Sequence, residues 1–122
     1  MNKEKIYIFD TTLRDGAQTE GVNFSIDDKN KIAKALSNLG VDYLEGGWPG
    51  ANTIDTAFFN NPPKLENTIL TAFGMTKKVG RSAENDPGLS ALLNTKAPAI
   101  CLVGKSWDFH VDVALGITRE EN

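Results

Sequence analysis

Cysteine is nearly absent from this sequence of 122 residues, which contains Cys101 alone. A single cysteine excludes a disulfide bond within the chain and any metal site built from a CxxC motif. The neighbours of Cys101 are apolar, namely Ile100, Leu102 and Val103. We therefore expect a buried thiol that packs in the core rather than one that reacts.

The sequence also lacks a basic excess and a long apolar run. It has 13 basic and 16 acidic side chains and a formal charge of −3, so no patch can neutralise a nucleic-acid backbone. No apolar stretch approaches the roughly 20 residues that span a bilayer. We therefore expect a globular, cytoplasmic chain that binds neither nucleic acid nor membrane, and the 40% of hydrophobic residues suffices for a core.

Short apolar runs alternate with helical patterns along the whole chain. The runs are continuous, which is typical of parallel strands covered on both faces. Helices are indicated between them by capping residues such as Ser25 with Asp28, by apolar periodicity and by a following glycine or proline. The predicted strands are residues 6–9, 41–44, 69–73 and 99–103, and the predicted helices are residues 26–39, 53–60, 106–115 and one starting at Pro87 behind an Asp86 cap.

The strand starts at residues 6, 41, 69 and 99 lie about 30 residues apart, which predicts an α/β fold of repeated βα units. Two folds use four such units. One is a complete flavodoxin-like open sheet, and the other is the first half of a (β/α)8 TIM barrel, which needs roughly 250 residues in all. Residues 118–121 read as a capping box that opens a further helix. This favours one domain, residues 1–122, that is the N-terminal half of a barrel cut at a helix start.

Charged and polar residues follow the first two predicted strands, where ligands bind in parallel α/β folds. Asp10, Arg14, Asp15 and Gln18 follow the first strand, and Glu45 ends the second. Asp15 offers a hard oxygen ligand to a divalent cation, and Arg14 beside it can hold a carbonyl or carboxylate and stabilise enolate charge. Glu45 is placed to orient the Arg14 guanidinium. The alternative is a loop capped by its Asp and Arg, with Glu45 as a surface charge.

The segments "DTTLRDGAQ" and "YLEGGWPGAN" resemble the DRE-TIM metallolyase superfamily, and the similarity continues through "FFNNPP", "TAFGMTKKVG", "SAENDPGLSALL" and "GKSWDFHV". Within it, these segments look like the citramalate synthase branch, near the 2-isopropylmalate and homocitrate synthases.

The resemblance implies a Claisen condensation of acetyl-CoA with a 2-keto acid such as pyruvate. It assigns metal binding to Asp15, oxyanion stabilisation and substrate binding to Arg14, and the holding of Arg14 to Glu45. Gln18 is expected to line the substrate site.

The resemblance also exposes what the sequence does not supply. In this family two histidines of an HxH motif on a late strand complete the metal site, whereas His110 is the only histidine here. We expect His110 to pack or to order a loop, with a place beside the substrate as the alternative. A chain that lacks these ligands and the general base should bind a metal weakly, be inactive alone, and associate with itself or with the missing half-barrel. A non-catalytic half-barrel that serves in assembly remains open.

Overall fold

Four parallel strands, joined by helices, form the sheet in the computed structural model, which describes residues 3–122. The strands are β1 (Phe9–Asp10), β2 (Tyr43–Gly47), β3 (Ile69–Met75) and β4 (Ala99–Val103). The helices are α1 (Ile26–Leu39), α2 (Thr53–Asn60) and α3 (Pro87–Leu93), with 3-10 turns at Gly16–Gln18 and Ala83–Asn85 and a π-helix at His110–Leu115. No helix in this part of the chain is long and apolar enough to cross a membrane.

The order of the strands decides between the two predicted folds. Each strand pairs in parallel with the next one along the chain, in the order β1-β2-β3-β4. A flavodoxin-like sheet has the order 2-1-3-4-5, with the first strand between the second and the third. The flavodoxin-like alternative is therefore wrong, and the chain has the fold of the first half of a (β/α)8 barrel, in which strands follow in sequence.

Local signals account for most of the helix boundaries. Ser25 and Asp28 form the predicted capping box, in which the Ser25 hydroxyl accepts from the Asp28 N–H and the Asp28 carboxylate accepts from the Ser25 N–H. Gly40 ends α1 with φ 96°, a left-handed conformation that glycine adopts at low cost. Asp86 caps α3 as predicted, and the predicted bounds of α1 and α2 are confirmed. In the predicted helix 106–115, regular π-helix is confined to His110–Leu115.

The first strand is shorter than predicted and begins three residues later. Only Phe9 and Asp10 pair with β2, at Tyr43 and Leu44. Ile8 is tied to Asp42 by two hydrogen bonds, but Ile6 is 84% exposed and lies at the open edge of the sheet. The apolar run therefore predicts that a strand is present but not its length. At the edge of the sheet β1 has a neighbouring strand on one side only, so fewer of its residues are paired.

The hydrophobic core lies between the sheet and its helices. Phe58 and Phe59 of α2 are fully buried and pack edge to face, with ring centroids 5.4 Å apart. The other members of the buried cluster are Leu13, Ala33, Leu44, Leu70, Ala72 and Leu92. The outer strands are much more open, with Phe9 exposed on one side of the sheet and Leu102 and Val103 on the other. The core therefore fixes the central strands β2 and β3, whose carboxyl ends carry the site.

Candidate functional site

Backbone hydrogen bonds and one buried apolar side chain anchor the loop after β1. The Asp10 carboxylate accepts from the N–H and the hydroxyl of Thr12, at 2.9 and 3.1 Å. The carbonyl of Thr11 then accepts from the N–H groups of Arg14, Asp15 and Gly16. Leu13, in the middle of the loop, is fully buried in the core. The loop thus turns its next residue, Arg14, back toward the end of β2.

Arg14 meets Glu45 at the carboxyl end of β2. The Arg14 Nε–H donates to Glu45 Oε1 at 2.5 Å, and the Glu45 side chain is 2% exposed. A carboxylate so deeply buried needs a cation and hydrogen bonds to offset its lost hydration. The sequence-based prediction that Glu45 orients Arg14 agrees with this contact. The alternative, in which Glu45 is a surface charge, is wrong.

Three further side chains surround the Arg14 guanidinium. Its Nη1–H group donates to Asp15 Oδ1 and to Gln18 Oε1, each at 3.3 Å. Its other side faces the Phe73 ring, with the guanidinium carbon 4.2 Å from the ring centroid, a cation–π arrangement. Arg14 is therefore held by a buried anion, by two polar side chains and by an aromatic face, which leaves the planar group little freedom to rotate.

A pocket of about 290 Å³ opens beside the guanidinium. Its walls include Arg14, Gln18, Trp48 and Asn52. Trp48 meets Phe73 edge to face, with centroids 5.1 Å apart, so the same aromatic ring supports both the pocket wall and the arginine. A permanently charged donor at the wall of a small pocket is suited to bind a carboxylate, or an oxygen that gains negative charge during a reaction.

A second buried ion pair, Lys29 with Asp55, lies next to this site and was missed by the sequence reasoning. Lys29 is 1% exposed, and its ammonium group donates to the Gly46 carbonyl at 2.8 Å and to Asp55 Oδ1. Asp55 Oδ2 also accepts from the Trp48 N–H at 2.8 Å and from Asn52 Nδ2 at 3.0 Å. A signal existed, since Lys29 lies four residues before Ala33 on the buried stripe of α1.

The described residues do not by themselves fit a divalent metal. Asp15 is the predicted ligand, and its side chain is 65% exposed with one oxygen turned to Arg14. Within residues 3–122 no group of three or more His, Cys, Asp or Glu side chains could hold a metal ion. Magnesium and calcium take six or more ligands, so one carboxylate is at most a fragment of a site.

Cys101 lies near Glu45, and His110 lies in the π-helix that follows β4. Cys101 is half-buried rather than buried, because β4 is an edge strand. Partial burial raises the pKa of its thiol, and the nearby Glu45 carboxylate raises that pKa further, so the thiol stays protonated. The His110 ring packs against Trp107 with centroids 4.6 Å apart, in line with the expected packing role.

Comparisons with known proteins show similarity over nearly the whole chain. The HMGL-like family model matches residues 5–122. The chain is 49% identical over 121 residues to the (R)-citramalate synthase of Aquifex aeolicus and 47% identical over 122 residues to that of Streptomyces coelicolor. It is 37% identical over 122 residues to 2-isopropylmalate synthase 1 of Caldanaerobacter subterraneus. In each case 98–99% of this chain is covered, but only 23% of either citramalate synthase and 30% of the isopropylmalate synthase.

Proposed function

The chain belongs to the HMGL-like family, within the DRE-TIM metallolyase superfamily, and on that basis we propose that it forms part of an acyltransferase of the citramalate synthase type. The proposed reaction joins acetyl-CoA to a 2-keto acid, with pyruvate as first candidate. A methyl proton leaves the acetyl group, the resulting enolate attacks the keto carbon, and hydrolysis of the thioester releases coenzyme A and a 2-hydroxy diacid.

The pairing of Arg14 with the buried Glu45 is the observation that carries this proposal. The keto oxygen of the substrate becomes an oxyanion as the new carbon–carbon bond forms. A fixed guanidinium beside the pocket stabilises this charge without having to reorient, which is the main way proteins lower such barriers. Glu45 holds the guanidinium plane through the hydrogen bond from Nε. Gln18 accepts a hydrogen bond from Nη1, as Asp15 also does, and forms part of the pocket wall.

Asp15 is the residue that we propose supplies one carboxylate to a divalent metal. Its exposure and its place next to Arg14 support that role, and a bound metal would act as a Lewis acid on the keto oxygen. The other ligands, and the general base that removes the methyl proton, must come from outside this chain. The chemistry assigned here to Arg14, Glu45 and Gln18 does not depend on which metal binds.

The remaining part of the catalytic barrel is the partner that we propose for this chain. The chain spans about a quarter of the length of the citramalate synthases it matches. Its outer strands expose apolar side chains such as Phe9 and Leu102, which a further strand or a second copy could cover. The 122-residue chain alone is therefore proposed to be inactive and prone to associate, with a cytoplasmic location as expected for a biosynthetic enzyme.

A hybrid enzyme tests the proposal most economically. In it, this chain replaces the aligned segment of the Aquifex aeolicus citramalate synthase, to which it is 49% identical. Coenzyme A release from acetyl-CoA is measured with pyruvate, with a branched 2-keto acid and with a 2-keto diacid. We expect turnover with pyruvate and none from the 122-residue chain by itself.

Two controls make the result decisive. The parent synthase fixes the attainable rate, and a hybrid carrying Asp15→Ala reports background thioester hydrolysis. A soluble hybrid, monodisperse like the parent, that releases no coenzyme A with any keto acid would contradict the proposed reaction. That outcome would leave a non-catalytic assembly role as the better account of this chain.

A further inference from the structure

Lys29 and Asp55 form a buried ion pair to which the proposed chemistry assigns no role. Lys29 is 1% exposed and Asp55 7%, and the Lys29 ammonium group also lies 5.5 Å from the Phe58 ring centroid. Burying two charges costs several kcal/mol of desolvation that their attraction only partly offsets. A pair in this position calls for an explanation beyond stability.

The contacts of the pair converge on the three residues that follow Glu45. Lys29 binds the Gly46 carbonyl, and Asp55 binds the Trp48 N–H. Between them Gly47 has φ 151°, and a Cβ atom there would lie 2.5–2.7 Å from the Asp55 carboxyl group. The pairing of β2 with β3 is irregular at the same place, between Glu45 and Gly47. The Asp55 carboxyl group thus packs against a bulge at the end of β2.

We propose that Lys29 and Asp55 are positioning residues that act on Arg14 through this bulge, an inference that rests on the proposed function for its catalytic meaning. By clamping Gly46 and Trp48, the pair fixes the backbone on which the Glu45 carboxylate is aimed at Arg14 Nε. It also fixes Trp48, whose ring supports the Phe73 ring under the guanidinium. Among the described residues, neither Lys29 nor Asp55 hydrogen-bonds Arg14, although both line the pocket beside it.

A purely structural role would predict something different. If the pair only stabilised the fold, its loss would speed hydrogen exchange throughout the central sheet to a similar extent. If it aims Glu45, its loss should release the Arg14 Nε–H before the sheet opens. The discriminating quantity is therefore exchange at Arg14 Nε–H relative to exchange at a core amide such as that of Ala72.

Nuclear magnetic resonance of the 122-residue chain can measure this ratio. The sequence has three arginines, Arg14, Arg81 and Arg119, so only three Nε–H signals need assignment, and Arg14→Lys identifies the first. The test variant is Asp55→Asn, which keeps the shape of the side chain and removes its charge. The matched control is Asp27→Asn, which breaks the exposed pair of Asp27 with Lys31 on α1.

We expect Asp55→Asn to speed exchange at Arg14 Nε–H at least about tenfold more than at the Ala72 amide, because the charge-assisted bond to Glu45 loosens. The control should leave that ratio unchanged. A folded Asp55→Asn variant in which Arg14 and Ala72 respond equally, or in which Arg14 does not respond, would overturn the proposal.

Asn52→Ser covers the case in which Asp55→Asn does not fold. Serine caps a helix as well as asparagine does, so α2 keeps its start while Asp55 loses the bond from Asn52 Nδ2. We expect Asn52→Ser to speed exchange at Arg14 Nε–H more than at the Ala72 amide, by a smaller factor than Asp55→Asn does. An unchanged ratio of the two exchange rates would again contradict the proposal.

In the hybrid synthase, Asp55→Asn should lower kcat and leave the KM for acetyl-CoA nearly unchanged. If the hybrid with the unchanged chain is inactive while Asp55→Asn selectively speeds exchange at Arg14 Nε–H in the 122-residue chain, only the proposed function is refuted. If the hybrid with the unchanged chain is active but Asp55→Asn gives no selective exchange at Arg14 Nε–H, only the positioning role is refuted.

Discussion

Two buried carboxylates, Glu45 and Asp55, lie at the same backbone bulge, and each is paired with its own cation. Glu45 is paired with Arg14 and Asp55 with Lys29. Removing one partner of a buried pair leaves an uncompensated charge, which typically costs about 3–5 kcal/mol. A change at any of these four side chains therefore affects stability as well as chemistry, and functional tests need a measure of folding beside them.

Gly47 is the residue whose replacement tests this packing most cleanly. In Gly47→Ala the new methyl group would overlap the Asp55 carboxyl group, and overpacking costs about 1–3 kcal/mol beyond the backbone penalty. Gly80→Ala is the control, because Gly80 also has a positive φ, 72°, but open space around it. There we expect only the left-handed penalty of about 1–2 kcal/mol. Urea unfolding measures both, and equal losses would show that Asp55 does not fill the bulge.

At the scale of helices and strands, the sequence correctly predicted those features that depend on residues close together in the chain. The bounds of α1 and α2 and the cap of α3 follow from residues close in sequence, such as Ser25 with Asp28. The length of β1 and the Lys29–Asp55 pair depend instead on residues far apart in the chain. The pairing of Arg14 with Glu45 also spans a long separation, and it was predicted only because both residues follow neighbouring strands and belong to motifs of a known family.

The stability that the Asp86 cap gives to the start of α3 should depend on pH. The Lys78 and Leu89 N–H groups donate to the Asp86 carboxylate and hold the pKa of Asp86 below its usual value of 3.8. A carboxyl group whose pKa is lowered by folding stabilises the fold above its unfolded pKa, and this contribution is lost as the pH falls through the folded value.

The variant Asp86→Asn should therefore be less stable than the parent chain near neutral pH. The difference should shrink below about pH 4, as the parent carboxylate becomes protonated. Urea unfolding of both proteins across this range tests the prediction. A stability difference that stays constant from neutral pH to about pH 3 would mean that the charge of Asp86 contributes nothing to the cap.

At the scale of the whole molecule, the chain has a packed interior and two open edges. The central strands are buried against the helices, whereas β1 and β4 end the sheet without a further strand. The site shares this division. The residues that hold Arg14 are present, while Asp15 is an isolated carboxylate with no group of metal-binding side chains around it in residues 3–122. The fold is that of the first half of a barrel, which accords with the quarter of the citramalate synthases that the chain spans.

The role of Arg14 is the central claim, and turnover by the hybrid synthase with Arg14→Ala tests it most directly. Arg81→Ala is the control, because Arg81 lies on the surface and its guanidinium bonds only the Asn85 carbonyl among the residues described. Circular dichroism and thermal unfolding establish that both variants are folded. We predict that Arg14→Ala lowers kcat by about 100-fold or more, which is the effect of removing other groups that stabilise an oxyanion. The kcat of the Arg81→Ala hybrid should equal that of the unchanged hybrid. A folded Arg14→Ala hybrid whose kcat falls less than about threefold would remove Arg14 from the mechanism and contradict this account.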